Sequence, residues 1–198
     1  MFNKTNITKD RIINETINII LLKGIESTSI SDIIKATGIA RGSLYHHFPD
    51  KEALMSEAIK KYEQRFVEFL NNALAGKTPG EKIYNFLDSA FKIHVNRNFQ
   101  GGCIFGNTAL EMADKNYVFR ELVNKVFEEW AKTLSMVIKE AQNTGEVRND
   151  INPDDLACFI VASVEGGIML SKVKKDENPL SKVILLLKKS LKENATSK

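Results

Sequence analysis

Apolar residues recur every three or four positions along most of the chain, and no stretch of useful length alternates apolar with polar. An α-helix gathers residues at that spacing onto one face, so the expected fold is all-α. Ile13, Ile17, Ile20 and Leu21 make a first stripe, with Thr8 as its cap and Gly24 as its stop. Ile30, Ile33, Ile34 and Ala36 make a second, shorter one. Ser29 stands before it as an N-cap, and Asp32 stands three residues on, where a carboxylate reaches back to the free amide of the cap. Gly38 then falls where the chain must turn through a left-handed conformation, which glycine enters at little cost. Beyond it Leu44 and Phe48, at i and i+4, are the apolar side of a helix of about two turns. Pro49 bars its continuation, and Asp50 caps a new helix from Lys51.

That new helix runs to about Ala75, with Leu54, Ala58, Tyr62, Phe66, Phe69 and Leu70 on its apolar side. Gly76 to Gly80, with Pro79 inside, is the clearest break in the pattern. The expected organisation is a three-helix module in residues 1–50, a linking helix in 51–75 and a second helical module in 76–198. In the second module Ile83, Phe86, Leu87, Ala90, Phe91 and His94 line a helix ending near Phe99, and Gly101, Gly102 and Cys103 turn into a short helix through Met112. Leu122, Val126, Phe127, Trp130, Leu134 and Ile138 mark a long helix from Val118 to about Gln142. Residues Leu156 to Leu170 are apolar nearly all round, so this helix, Cys158 included, is expected to be buried, as at a dimer interface. Pro179 opens a last helix striped by Val183, Leu186, Leu187 and Leu191.

The 198 residues, 43% hydrophobic, suffice to bury a sizeable core. A net charge of +3 is too modest for a DNA-compacting polycation. Nucleic-acid binding would have to rest on placement: Lys35, Arg41 and Lys51 face one acid, Asp50, in that stretch, and Lys4, Lys9 and Arg11 could form an N-terminal arm. Two cysteines without pattern exclude a disulfide framework, and no zinc-ligand spacing is present; no metal or cofactor is expected. The N-terminus is too polar for a signal peptide and no apolar run approaches the roughly 18 residues of a membrane span, so the cytoplasm is the expected compartment. Lys192 to Lys198 read as a polar tail that frays.

Helix, tight glycine turn, short helix and capped third helix are together the plan of a helix-turn-helix. The string TGIARGSLYHHFPDKEAL, with Ser29 and the glycine turn, resembles the DNA-binding signature of the TetR family of bacterial transcriptional repressors. The resemblance implies that Arg41, Gly42 and Ser43 approach base edges, with Ser31 joining them from the preceding helix. It implies that Ser29, Tyr45, His46, His47 and Lys51 touch phosphate or flanking backbone. It also implies a homodimer, paired through the last two helices, on a palindromic site in double-stranded DNA, since one short helix reads few bases and two spaced by about 34 to 36 Å read a palindrome. One departure stands out: where the family places Ser or Thr as cap of the reading helix, this chain has Ala40, so that end should fray in the absence of DNA.

The implied activity is that of a repressor released by a small-molecule effector. His94, Cys103, Phe105, Asn107, Glu111, Phe127 and Trp130 are candidates for the effector pocket, combining apolar walls with a few polar groups. Cys103 lies at a helix N-terminus, where the dipole favours a thiolate, and the Gly-Cys start to that helix resembles a subgroup of TetR-like repressors. Thiol-based sensing of electrophiles or oxidants is therefore the alternative to a reversibly bound effector. An enzyme using Cys103 and His94 lacks a third orienting group, a phosphate loop and a metal cluster, and no catalytic residue is expected.

Overall fold

The computed structural model describes residues 4–192, with side chains from residue 8 onward. Every regular element among them is an α-helix: α1 Lys4–Lys23, α2 Ile30–Thr37, α3 Arg41–His47, α4 Lys51–Ala73, α5 Pro79–Asn96, α6 Ile104–Met112, α7 Tyr117–Asn143, α8 Pro153–Lys174 and α9 Asn178–Lys192. The chain divides into two compact units, one reaching to Phe66 and taking in Cys103–Asn124, the other formed by Val67–Gly102 and the residues from Lys125 on. The division does not follow the break at Gly76. It runs through α4 and α7, because α6 and the start of α7 pack with the N-terminal helices: Phe105 is wholly buried, its ring edge-on to Tyr62 at 5.5 Å and to Phe66 at 5.3 Å.

In the first unit α1 begins at Lys4, upstream of Thr8, so Thr8 is interior to the helix rather than its cap. Ile12, Ile17, Ile20, Ile33, Leu44, Leu54 and Ile59 are at most 1% exposed and form the core. Three buried threonines satisfy their hydroxyls on backbone carbonyls four residues back: Thr16 on Ile12, Thr28 on Gly24 and Thr37 on Ile33. The capping box is formed in full, Ser29 Oγ accepting from the Asp32 amide at 3.1 Å and the Asp32 carboxylate accepting from the Ser29 amide at 3.0 Å. Gly38 ends α2 at φ 67°, its amide returning to the Ile34 carbonyl. Asp50 caps α4 by accepting from the Ala53 amide at 2.7 Å. Lys9 and Arg11 do not form an arm: the Lys9 ammonium lies 5.6 Å from the Phe48 ring centroid, and the Arg11 guanidinium donates to the Thr37 carbonyl. The side chain of Lys4 lies outside the described residues, as does the tail beyond Lys192.

In the second unit Thr78 caps α5, and the Glu146 carboxylate accepts from the Thr78 hydroxyl, the Thr144 hydroxyl and the Gly80 amide. Those bonds, led by the one from Thr78, hold the Glu146 carboxyl below its usual range. α8 and α9 make the most extensive helix pair, and Gly167 allows their close approach: a methyl group there would lie 2.9 Å from Leu180 Cδ1. α8 is buried on one side only. Leu156, Ala157, Ile160 and Val164 are covered, whereas Phe159, Met169, Leu170 and Val173 are about half or more exposed, and Cys158, expected in the core, is exposed beside them. By length and composition α8 is also long and apolar enough to cross a membrane, which no run was expected to be. Its covered face packs within a globular unit, as core helices that pass the same test do.

His94, near the end of α5, is 6% exposed and its Nδ1 has no hydrogen-bond partner among the described residues. Burial, reinforced by the Arg97 charge, pulls its pKa from 6.5 down to about 4. The unfolded chain therefore takes up a proton at His94 before the folded one does, and the contribution of His94 to stability is constant above pH 6.5 and falls as pH drops toward 4. The expected loss is on the order of 3 kcal/mol across that window; urea melts of His94→Asn, whatever its stability at pH 7, should show that acid slope flattened. A second prediction concerns α3, whose N-cap Ala40 makes no side-chain bond. Ala40→Ser should add roughly 0.5–1 kcal/mol of stability and slow amide exchange in the first turn of α3.

Candidate nucleic-acid interface

α3 is seven residues long, and its side chains divide sharply. Leu44 and Phe48 are 0% and 2% exposed, fixing the helix to the core of its unit. Arg41, Gly42, Ser43, Tyr45 and His46 are exposed and His47 is half-buried, its ring 5.5 Å from that of His46 in an edge-on arrangement. The core-facing pair thus turns every α3 residue predicted to contact DNA, His47 in part, toward solvent. Gly42 leaves open space where a side chain would begin, which permits backbone to approach a groove closely.

α2 adds Ser29 and Ser31, both exposed. Ser29 has a double occupation, its hydroxyl donating to the Asp32 carboxylate at 2.8 Å while accepting from the Asp32 amide. Asp32 in turn takes the Lys23 ammonium at 2.8 Å, and that bond first, with the Ser29 bonds, holds its carboxyl far below the usual range. The pair neutralises an acid that would otherwise repel phosphate beside the reading helices. Lys51, at the start of α4, is half-buried, and its ammonium donates to the Glu26 carbonyl at 3.1 Å. An ammonium has three donors, so this bond orients the group while using one of them. Lys35 and Arg41 are exposed, which suits them to backbone and base-edge contacts respectively.

The effector candidates fall into two groups. In the second unit Trp130 is 3% exposed, stacked on Phe127 at 6.2 Å and edge-on to Phe86 at 6.0 Å. Phe86, Ala90 and His94 follow one another at four-residue spacing along the buried side of α5. In the first unit Cys103 is the half-buried N-cap residue of α6 and makes no capping hydrogen bond, Phe105 is buried and Asn107 is half-buried. Thr108, one turn beyond Phe105, is 1% exposed with a hydroxyl that has no partner among the described residues. Glu111 is instead engaged with the α1–α2 turn, its carboxylate accepting from the Glu26 amide at 2.9 Å. Glu26 and Lys115, joined at 2.8 Å, were not predicted as functional; partners 89 residues apart leave no local signal in a sequence.

Comparison with known proteins follows this geometry. Residues 12–58 match the model for bacterial regulatory proteins of the tetR family, and residues 79–186 match the tetracyclin repressor-like C-terminal domain. The HTH-type transcriptional repressor DhaR of Mycobacterium sp. strain GP1 is 26% identical over 92% of this chain and 91% of its own. An HTH-type transcriptional regulator of Bacillus subtilis strain 168, YxaF, is 31% identical over 87% of this chain and 89% of its own. Among solved structures, a TetR transcriptional regulator from Chloroflexus aurantiacus superposes with a TM-score of 0.86 at 33% identity, covering 94% of each chain. The exposed two-turn helix and the helical module that follows are thus matched separately, and together they span most of the chain: it belongs to the TetR family of bacterial transcriptional regulators.

Proposed function

We propose that the protein is a homodimeric repressor that reads a palindromic operator in double-stranded DNA through α3 and is released when a small molecule binds its helical module. The observation that carries the reading is the division of α3 and its C-cap into two buried anchors, Leu44 and Phe48, and an exposed set of donors, Arg41, Ser43, Tyr45 and His46. Those groups suit base edges and phosphates, and a relative named as a repressor supports the direction of the effect. Ser29, Ser31, His47 and Lys51 complete the contact surface. The compartment is the cytoplasm, where the operator lies.

The dimer is supported by the apolar stripe of Phe159, Met169, Leu170 and Val173 on α8 and of Leu185 and Leu186 on α9, too much exposed apolar surface to leave in water. Two copies facing one another through these helices would cover it and duplicate the reading helix. The effector site we favour lies along the buried side of α5, where His94 has an imidazole nitrogen without a partner among the described residues and Phe86 meets Trp130, itself stacked on Phe127. Cys103, Phe105 and Asn107 on α6 are further candidates. Release is a population shift: an effector that weakens operator binding by some factor is itself bound more weakly, by that factor, to the operator complex.

Selection of random duplex DNA on the purified protein, followed by a salt titration of the best site, tests the reading; an enriched palindrome supports it, and no enrichment by a folded dimer refutes it. On that site Arg41→Ala should relax preference at particular base pairs, at a cost of about 1–3 kcal/mol. Lys51→Ala should instead reduce the salt slope by about one and weaken binding to every sequence, the selected site most, since the same ammonium also holds the Glu26 carbonyl. Sedimentation of Leu170→Asp should show a monomer with greatly reduced operator affinity, since a charge cannot be left unpaired in an apolar interface; an unaltered dimer would exclude this face.

A further inference from the structure

The turn between α1 and α2 is held by side chains that come from far along the chain. Its first residue, Gly24, closes α1 at φ 84°, and its carbonyl accepts from the Thr28 hydroxyl at 2.6 Å. The next peptides are fastened from two sides. The Glu26 amide donates to Glu111 Oε2 on α6 at 2.9 Å, and the Glu26 carbonyl accepts from Lys51 Nζ on α4 at 3.1 Å. The Glu26 carboxylate receives Lys115 Nζ at 2.8 Å to both oxygens, and one residue further Asn116 Nδ2 donates to the Glu52 carboxylate at 2.6 Å. The fit at Glu111 is close: a Cβ on residue 24 would stand 2.0 Å from Glu111 Oε1, so the carboxylate occupies space that only a glycine leaves.

Three residues after Glu26 the chain enters the Ser29–Asp32 capping box, and from there α2 and α3 follow as one body joined through Gly38 and anchored by Ile33 and Leu44. Whatever fixes the Glu26 peptide therefore sets where that body begins. We propose that Glu111 is a positioning residue for DNA reading: from α6, its carboxylate sets the α1–α2 turn and through it the pose of the α2–α3 pair against the operator. The inference rests on α2 and α3 being the part that meets DNA.

Glu111 rather than Lys115 is the residue that matters, for a physical reason. The Lys115–Glu26 pair is more than half exposed on both sides, and exposed ion pairs contribute little. The bond from the Glu26 amide is charge-assisted and directional. Glu26 is exposed, so water replaces Glu111 when it is removed, and folding loses little while the turn loses its direction.

The test uses full-length wild type, Glu111→Ala, Glu111→Gln and Lys115→Ala, each titrated against the operator selected on the wild type and against a scrambled duplex at fixed salt, with thermal melts alongside. Glu111→Ala should lose about tenfold in operator affinity while scrambled-duplex affinity, salt slope and melting temperature stay near wild type. Glu111→Gln should recover most of the loss, because its amide oxygen still accepts from the Glu26 amide. Lys115→Ala should cost less than about threefold. The proposal is overturned if Glu111→Ala binds the operator as wild type does, if it loses operator and scrambled duplex in parallel, if Glu111→Gln is as weak as Glu111→Ala, or if Lys115→Ala loses as much. A wild type that selects no duplex overturns the DNA reading itself and this inference with it, whereas a binding wild type matched by Glu111→Ala overturns the inference alone.

Discussion

A helix of seven residues makes too few internal hydrogen bonds to persist by itself in water, and α3 lacks even a side-chain cap at Ala40. Its existence depends on the burial of Leu44 and Phe48, each worth roughly 1.5–3 kcal/mol when a side chain of that size is removed from water. The same two anchors determine what α3 shows to solvent. With the apolar side committed to the core, Arg41, Ser43, Tyr45 and His46 point outward, and Pro49 with Asp50 ends the helix after about two turns.

The first unit spends much of its positive charge on itself. Lys9 lies over Phe48, Arg11 is bonded to the end of α2, and Lys23 is paired with Asp32, whose carboxyl stays ionised well into acid as a result. Among the described residues, what is left toward solvent near α3 is Lys35 and Arg41, with Lys51 shared between the Glu26 carbonyl and the outside. A surface with so few free cations among the described residues gains little from counterion release, so affinity for DNA rests on directed contacts. That agrees with a regulator that discriminates among sites rather than one that coats DNA.

The second unit follows a different logic. α8 and α9 bury one face against each other and leave another face apolar and open, and Cys158, which the all-round apolar pattern assigned to the core, lies on that open side. The all-round apolar pattern led to the expectation of burial on every side, yet only one face is covered within the chain, because a periodicity does not say which face meets another element. His94 presents the complementary case. His94, a pocket candidate from its place in an apolar stripe, is buried; that burial, with no partner for Nδ1 among the described residues, keeps it neutral through the physiological range and leaves a polar atom facing inward.

Local chemistry was legible along the chain because its causes are local. The capping box at Ser29 and Asp32, the left-handed Gly38, the missing cap at Ala40 and the stop at Pro49 each involve residues within a few positions of one another, and the order of helices followed from them. Gly24 was legible as a stop, but not as the seat of the Glu111 carboxylate. The positions that only tertiary structure decided are those whose partners lie far away: Arg11 on Thr37, Lys51 and Glu111 on the two sides of the Glu26 peptide, and α6 packed with the N-terminal helices rather than with the module that begins at Pro79. Hydrophobic period reports that a face will be buried and a cap reports where a helix starts, since both are fixed by bonds along the backbone. Which surface meets which is set by packing between elements distant in the chain, and that leaves no periodic trace in the order of residues.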